Sequence, residues 1–154
     1  MPFQFTLPAL LRLRESFEKM ELQRLQAIAA QLMKIRAEIE LIDAETDTAR
    51  RDIVEQSLSG ISGAELHVAL ASEEVRHLRR LMLVTKQAEA QEAHKAQMLR
   101  YKEARQRREI LSNLRERQLS AYEREQARRE QQRIDELFLI RRSARKRLSL
   151  ERLT

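Results

Sequence analysis

The sequence predicts an all-α protein: a two-helix antiparallel coiled-coil hairpin with a longer, overhanging C-terminal helix. Three observations carry that prediction. Gly60 and Gly63, three residues apart, are the only glycines among 154 residues, so one sharp turn interrupts an otherwise helical chain. Charged residues make up 35% and aromatic residues 4%, the balance of long paired helices rather than of a compact globule. Apolar residues recur at intervals of three and four, which separates the chain from a disordered one of similar charge.

The first helix is expected over about residues 7–57. Residues 1–6 form a lead that carries Phe3 and Phe5, Thr6 is placed to cap the helix, and Pro8 falls in the first turn, where its missing N–H costs nothing. Leu25, Leu32, Ile39, Thr46 and Ile53 recur every seven residues, with Ile28, Ile35, Ile42 and Ala49 three residues behind them. This is a heptad seam with one polar member, Thr46. Upstream, Leu10, Leu13, Phe17 and Met20 form a similar stripe offset by one residue, which predicts a local change of supercoil.

The turn is expected at 58–63. Ser62 followed by Glu65 is a capping box that opens a second helix, expected from about residue 64 to about 148. The seam expected for that helix runs through Leu66, Leu70, His77 or Leu78, Leu81, Val84 and Ala88. It then passes through Ala93 and Ala96 to Ile110, Leu111 and Leu114. A turn centred near residue 61 pairs position i with about 122 minus i. Ile28, Leu32 and Ile35 then face the alanines of 88–96, large against small, and Leu7 falls opposite Arg115. The whole chain reads as one coiled-coil domain. Residues beyond Arg115 overhang, with Leu119, Tyr122, Ile134, Leu137, Phe138, Leu139, Ile140, Leu148 and Leu150 unpartnered. A lone helix of this kind is marginal in water, so the overhang is expected to dock into another protein.

Several kinds of chemistry are absent from the pattern. No cysteine is present, which removes disulfide and thiolate chemistry. The longest strongly apolar runs, Leu81–Val84 and Leu137–Ile140, fall far short of the ~20 residues that cross a bilayer. The first residues lack the layout of a secretory signal. The glycine pair lies between helices with no Lys-Ser or Lys-Thr behind it, unlike a phosphate-binding loop. His67, His77 and His94 never stand three or four apart, so no metal-ligating pair arises. Acid–base catalysis needs a cleft that two helices do not supply. No catalytic residue, metal or cofactor is expected, and the chain is not read as an enzyme.

The charge is uneven. Residues 100–154 hold 17 Lys/Arg against 9 Asp/Glu, and residues 1–99 hold 13 against 15, giving +6 overall. The densest stretch is Arg141–Arg147. One reading is a solvated face with pairs such as Glu103/Arg107 and Glu125/Arg129, each worth some tenths of a kcal/mol. A second is non-specific nucleic-acid binding, for which Tyr101, Tyr122 and Phe138 are too sparse a stacking platform. A third is a protein partner with an acidic or polar lumen, or an anionic membrane surface.

The opening Phe3-x-Phe5-x-Leu7-x-x-Leu10-Leu11-x-Leu13-Arg14-Glu15 resembles the start of the flagellar FliJ family. Arg133-Ile134-Asp135-Glu136-Leu137, followed by the basic run Arg141 to Arg147, resembles that family's C-terminal segment. The likeness covers essentially the whole chain. It implies a non-enzymatic central stalk of flagellar or related type III protein export. Such a stalk binds and stimulates the hexameric export ATPase and links it to the membrane export-gate protein. It also implies contacts with export chaperones, no specific nucleic acid, a monomer when free, and a cytoplasmic place at the inner membrane beneath the flagellum.

By the resemblance, the ATPase ring meets Arg133, Asp135, Glu136, Leu137, Phe138, Arg141 and Arg142, with Phe3, Phe5 and Leu7 beside them. The gate meets Leu41, Leu66, Leu70 and His77. At the family's small-residue position stands Glu73, and at its tyrosines near Leu41 stand Ala44 and Thr48. Plain seam packing is the competing reading for Leu66, Leu70 and His77. Competing functions are a basic nucleic-acid-associated coiled coil, tested by salt-sensitive duplex binding, and a homo-oligomeric scaffold, tested by sedimentation.

Overall fold

The computed structural model describes residues 2–151, with side chains described as far as Arg145. It contains two helices packed against each other, α1 (Pro8–Ser59, 52 residues) and α2 (Gly63–Glu151, 89 residues), and no strand among the described residues. Contacts group the chain into two units, Glu15–Gln106 and Met1–Arg14 with Arg107–Thr154.

Within Glu15–Gln106, the connection is three residues long. Gly60 adopts φ +93°, the left-handed conformation that ends a helix without steric cost when no Cβ is present. The capping box closes fully. The Ser62 backbone N–H donates to Glu65 Oε2 at 2.9 Å, and the Glu65 N–H donates to Ser62 Oγ at 3.2 Å. A connection this short and this well bonded fixes the rotational phase of α2 as it leaves the turn.

That phase differs from the expected one. Leu66, Leu70, His77, Leu78, Leu81, Val84, Ala88, Ala93 and Ala96 are exposed rather than in the seam. Over 69–104, α2 has Gln91 and Met98 covered at the flank and, in the seam itself, Ala69, Glu73, Arg76, Leu83, Gln87, Ala90, His94, Gln97, Tyr101 and Ala104. With Arg80, which pairs across the seam, these seam positions form an unbroken heptad over 69–104. The stripe richest in leucine is therefore not the one that meets α1. The seam follows the turn's phase, and α1 supplies most of its bulk. Leu25, Leu32, Ile35, Ile39 and Ile42 are buried on α1, against Leu83 alone among the described aliphatic residues of α2. Ala90 packs on the cluster of Ile35, Ile39, Ile42 and Leu83, so large residues do meet a small one. Thr46 fits the apolar row by donating its hydroxyl to the Ile42 carbonyl at 2.8 Å.

The upstream stripe behaves in the same way. Phe17 and Met20 are exposed, while Glu18 and Glu21 hold the covered positions in phase with Leu25. The one-residue offset lies in the chemistry of the residues, and the seam does not slip. The buried Gln97 makes this workable: its amide donates to the Glu21 backbone carbonyl at 3.1 Å and to the Glu21 carboxylate. Arg24 holds the other Glu21 oxygen at 2.8 Å.

In the second unit, α1 starts at Pro8 as its first helical residue, and the Leu7 carbonyl accepts the N–H of Leu11 at 3.1 Å. Thr6 then stands one residue too early to cap, and bonds Gln118 Nε2 at 3.1 Å instead. Leu11 is buried, while Leu10 and Leu13 are exposed. Phe3 packs on Tyr122 with ring centroids 5.7 Å apart and planes tilted by 52°. The lead thus covers α2 as far as Tyr122, one helical turn or more past the expected Arg115. From Ala127 to Arg145 every residue is exposed.

Candidate partner-binding surfaces

The bare stretch of α2 holds most of the residues expected to meet an ATPase ring. Leu137, Phe138, Leu139 and Ile140 are 51–64% exposed, and Ile134 is 51% exposed. Four consecutive helical residues point roughly 100° apart and so span the whole circumference. They form an apolar collar rather than an amphipathic stripe. Asp135 accepts a bond from Gln131 Nε2 at 3.0 Å, and the Ser143 hydroxyl donates back to the Ile140 carbonyl at 2.8 Å, both within the helix. Arg133, Glu136, Arg141 and Arg142 are exposed. The side chains of Lys146, Arg147, Leu148 and Leu150 lie outside the described residues.

Phe3, Phe5 and Leu7 are not beside these groups. Phe3 and Phe5 are half-buried along α2, Phe3 at Tyr122, which is eleven residues or roughly 16 Å along the helix from Arg133. The collar stands without them.

The second surface lies in Glu15–Gln106 next to the turn. Leu41, Leu66, Leu70 and His77 are all exposed, so seam packing does not account for the last three. Leu66, Leu70 and His77 fall within roughly 40° of one another around α2. Leu70 and His77 edge a groove of about 720 Å³ between the helices. Its walls are charged. Arg80 Nε donates to Asp43 Oδ1 at 2.6 Å, and Arg50 reaches Glu73 at 2.7 Å. The hydrogen bond from Arg80 holds the Asp43 carboxyl below its ordinary value, and Asp43 in turn raises Arg80. Glu73, which replaces a small residue of the family pattern, is tied to α1 by Arg50 rather than presented outward.

Arg76 also lines this groove, with its Nε buried and unbonded. Sequence reasoning missed Arg76, Asp43, Arg50 and Arg80, because it looked for seam positions among apolar residues. Their signal was the period of seven alone. Among the described residues no helix is long and apolar enough to cross a membrane, and no group of three His, Cys, Asp or Glu is placed to hold a metal.

A sequence model of one family, described as flagellar FliJ protein, matches residues 3–148. No curated protein and no solved structure matches the chain.

Proposed function

Because the chain belongs to the flagellar FliJ family, a component of the flagellar protein export apparatus, we propose that it serves as the central stalk of an export ATPase ring. In this reading it performs no chemistry of its own. The stretch Arg133–Arg142 enters the hexameric ATPase and stimulates it by fixing the geometry of the ring. The turn-proximal face of Leu41, Leu66, Leu70 and His77 meets the export gate at the inner membrane, and export chaperones are further partners.

The collar at Leu137–Ile140 is the observation that carries the reading. A bilayer surface or a single partner helix covers one side of a helix and leaves the other side wet. Side chains spread around the full circumference are buried only by a partner that encloses them, as a ring does. Arg133, Arg141 and Arg142 flank the collar with charge that fits an acidic or polar lumen. Replacement of Leu137, Phe138, Leu139 and Ile140 by serine tests this in a pull-down with the hexameric export ATPase. Loss of the ATPase, with the helicity of the chain by circular dichroism largely retained, is expected. Undiminished capture contradicts the reading.

A further inference from the structure

We infer that the turn is a positioning device: Gly60 and the capping box of Ser62 and Glu65 hold α2 in a phase that its own side chains oppose, and so keep Leu66, Leu70 and His77 outside. Near the turn the seam is poorly filled. None of the residues between Ile42 and Leu83 is buried. Over 69–80 the seam positions of α2 are Ala69, Glu73, Arg76 and Arg80, and the Arg76 Nε is buried there without a hydrogen-bond partner. A buried donor left unbonded opposes the packing that buries it.

Beside that seam runs a more apolar one. Leu66, Leu70, Leu81 and Val84 are 39–53% exposed. With His77 they form a stripe centred about 90° around α2 from the seam. Turning α2 by that angle over 66–84 brings the stripe against Ile42, Thr46, Ala49 and Ile53 of α1 and returns Arg76 to water. The exchange gives up Leu83 for Val84, and it breaks the pairs Arg80–Asp43 and Arg50–Glu73, both open to solvent and therefore weak. Hydrophobic burial thus favours the turned phase. The connection opposes it. Three residues join the helices, Gly60 takes φ +93°, and both bonds of the capping box are made, so the first turn of α2 is not free to rotate. At the other end Gln97 pins the seam on Glu21, which confines a turned phase to the stretch next to the turn, with its extra winding between Val84 and Gln97. The turned phase hides Leu70 and His77 from any partner. The inference rests on the proposed gate contact only for what the displayed face meets.

Thiol labelling of the chain without partners tests this, with single cysteines placed in a sequence that has none. Two loosened turns are compared with the native one. In the first, four glycine and serine residues are inserted between Gly60 and Ile61, a lengthening that costs little in loop closure. The second carries Ser62→Ala with Glu65→Ala. With either, His77→Cys is expected to label about tenfold more slowly than in the native turn, and Ala69→Cys correspondingly faster. Val75→Cys, outside in both phases, is expected to label at the same rate. An unchanged pattern at the three sites overturns the inference. So does a uniform rise at all three, because the turn then only holds the helices together. No gate is needed for this measurement. Exchange of the labels with undiminished capture of the export-gate protein by the lengthened chain supports the positioning role and contradicts the gate contact instead.

Discussion

Gln97 shows how one side chain organises its surroundings. It is 5% exposed and stands where a seam ordinarily places leucine. Its amide is satisfied by Glu21, whose carboxylate is held in turn by Arg24. Such a polar seam residue fixes register, because any slip leaves the amide and the carboxylate without partners. Gln97→Ala is expected to cost about 1–3 kcal/mol in urea unfolding. Gln97→Leu combined with Glu21→Ala is expected to recover much of that loss.

The cap at the turn carries a pH signature. The bond from the Ser62 backbone holds the Glu65 carboxyl below its ordinary value, and Asp43 is likewise depressed by Arg80. A carboxylate depressed in the folded state stabilises it above the unfolded value, and that contribution is lost as pH falls through the folded value. Both contacts are therefore expected to be intact at neutral pH and to weaken below about pH 4. Amide exchange at Ser62 and Glu65, corrected for intrinsic rates, checks this: protection is expected to fall between about pH 5 and pH 3.

At the scale of helices, the two elements and the turn between them were legible from two glycines, a capping box and the heptads of α1. The bare end of α2 was legible because the returning helix is much the longer. The face that α2 presents to α1 was not legible. Leu66, Leu70, Leu81 and Val84 make the more apolar stripe, yet a three-residue connection with Gly60 at φ +93° sets the phase, and Glu73, Arg76 and Gln97 fill seam positions that hydropathy does not mark. Hydropathy reports which surfaces seek cover. It does not report whether α1 or another molecule provides it. The leucines left outside made the turn-proximal surface of Leu66, Leu70 and His77 more exposed than seam packing allowed. Thr6 likewise missed its expected role because Pro8 set the helix start.

The unequal cover of α2 has a direct consequence. Trypsin is expected to cut first between Arg128 and Arg145, where every described residue is exposed, and later within Glu15–Gln106. Equal resistance of the two stretches contradicts a bare C-terminal segment. Protection of Arg128–Arg145 on adding the export ATPase identifies the partner that covers it.

For the molecule as a whole, the buried aliphatic residues among the described ones are few: Leu11, Leu25, Leu32, Ile35, Ile39, Ile42 and Leu83. Many large apolar side chains stay outside, concentrated near the turn and in the collar. Extended exposed apolar surface marks interaction sites rather than idle surface. Such surface supports the stalk reading proposed for this member of the flagellar FliJ family.

Stimulation of the hexameric export ATPase, measured with the intact chain and with a chain ending at residue 132, tests that reading most directly. The account predicts stimulation by the intact chain and none by the shortened one, with the shortened chain still helical by circular dichroism. Full stimulation by the shortened chain contradicts it, because the collar and its flanking arginines are then not what the ring reads.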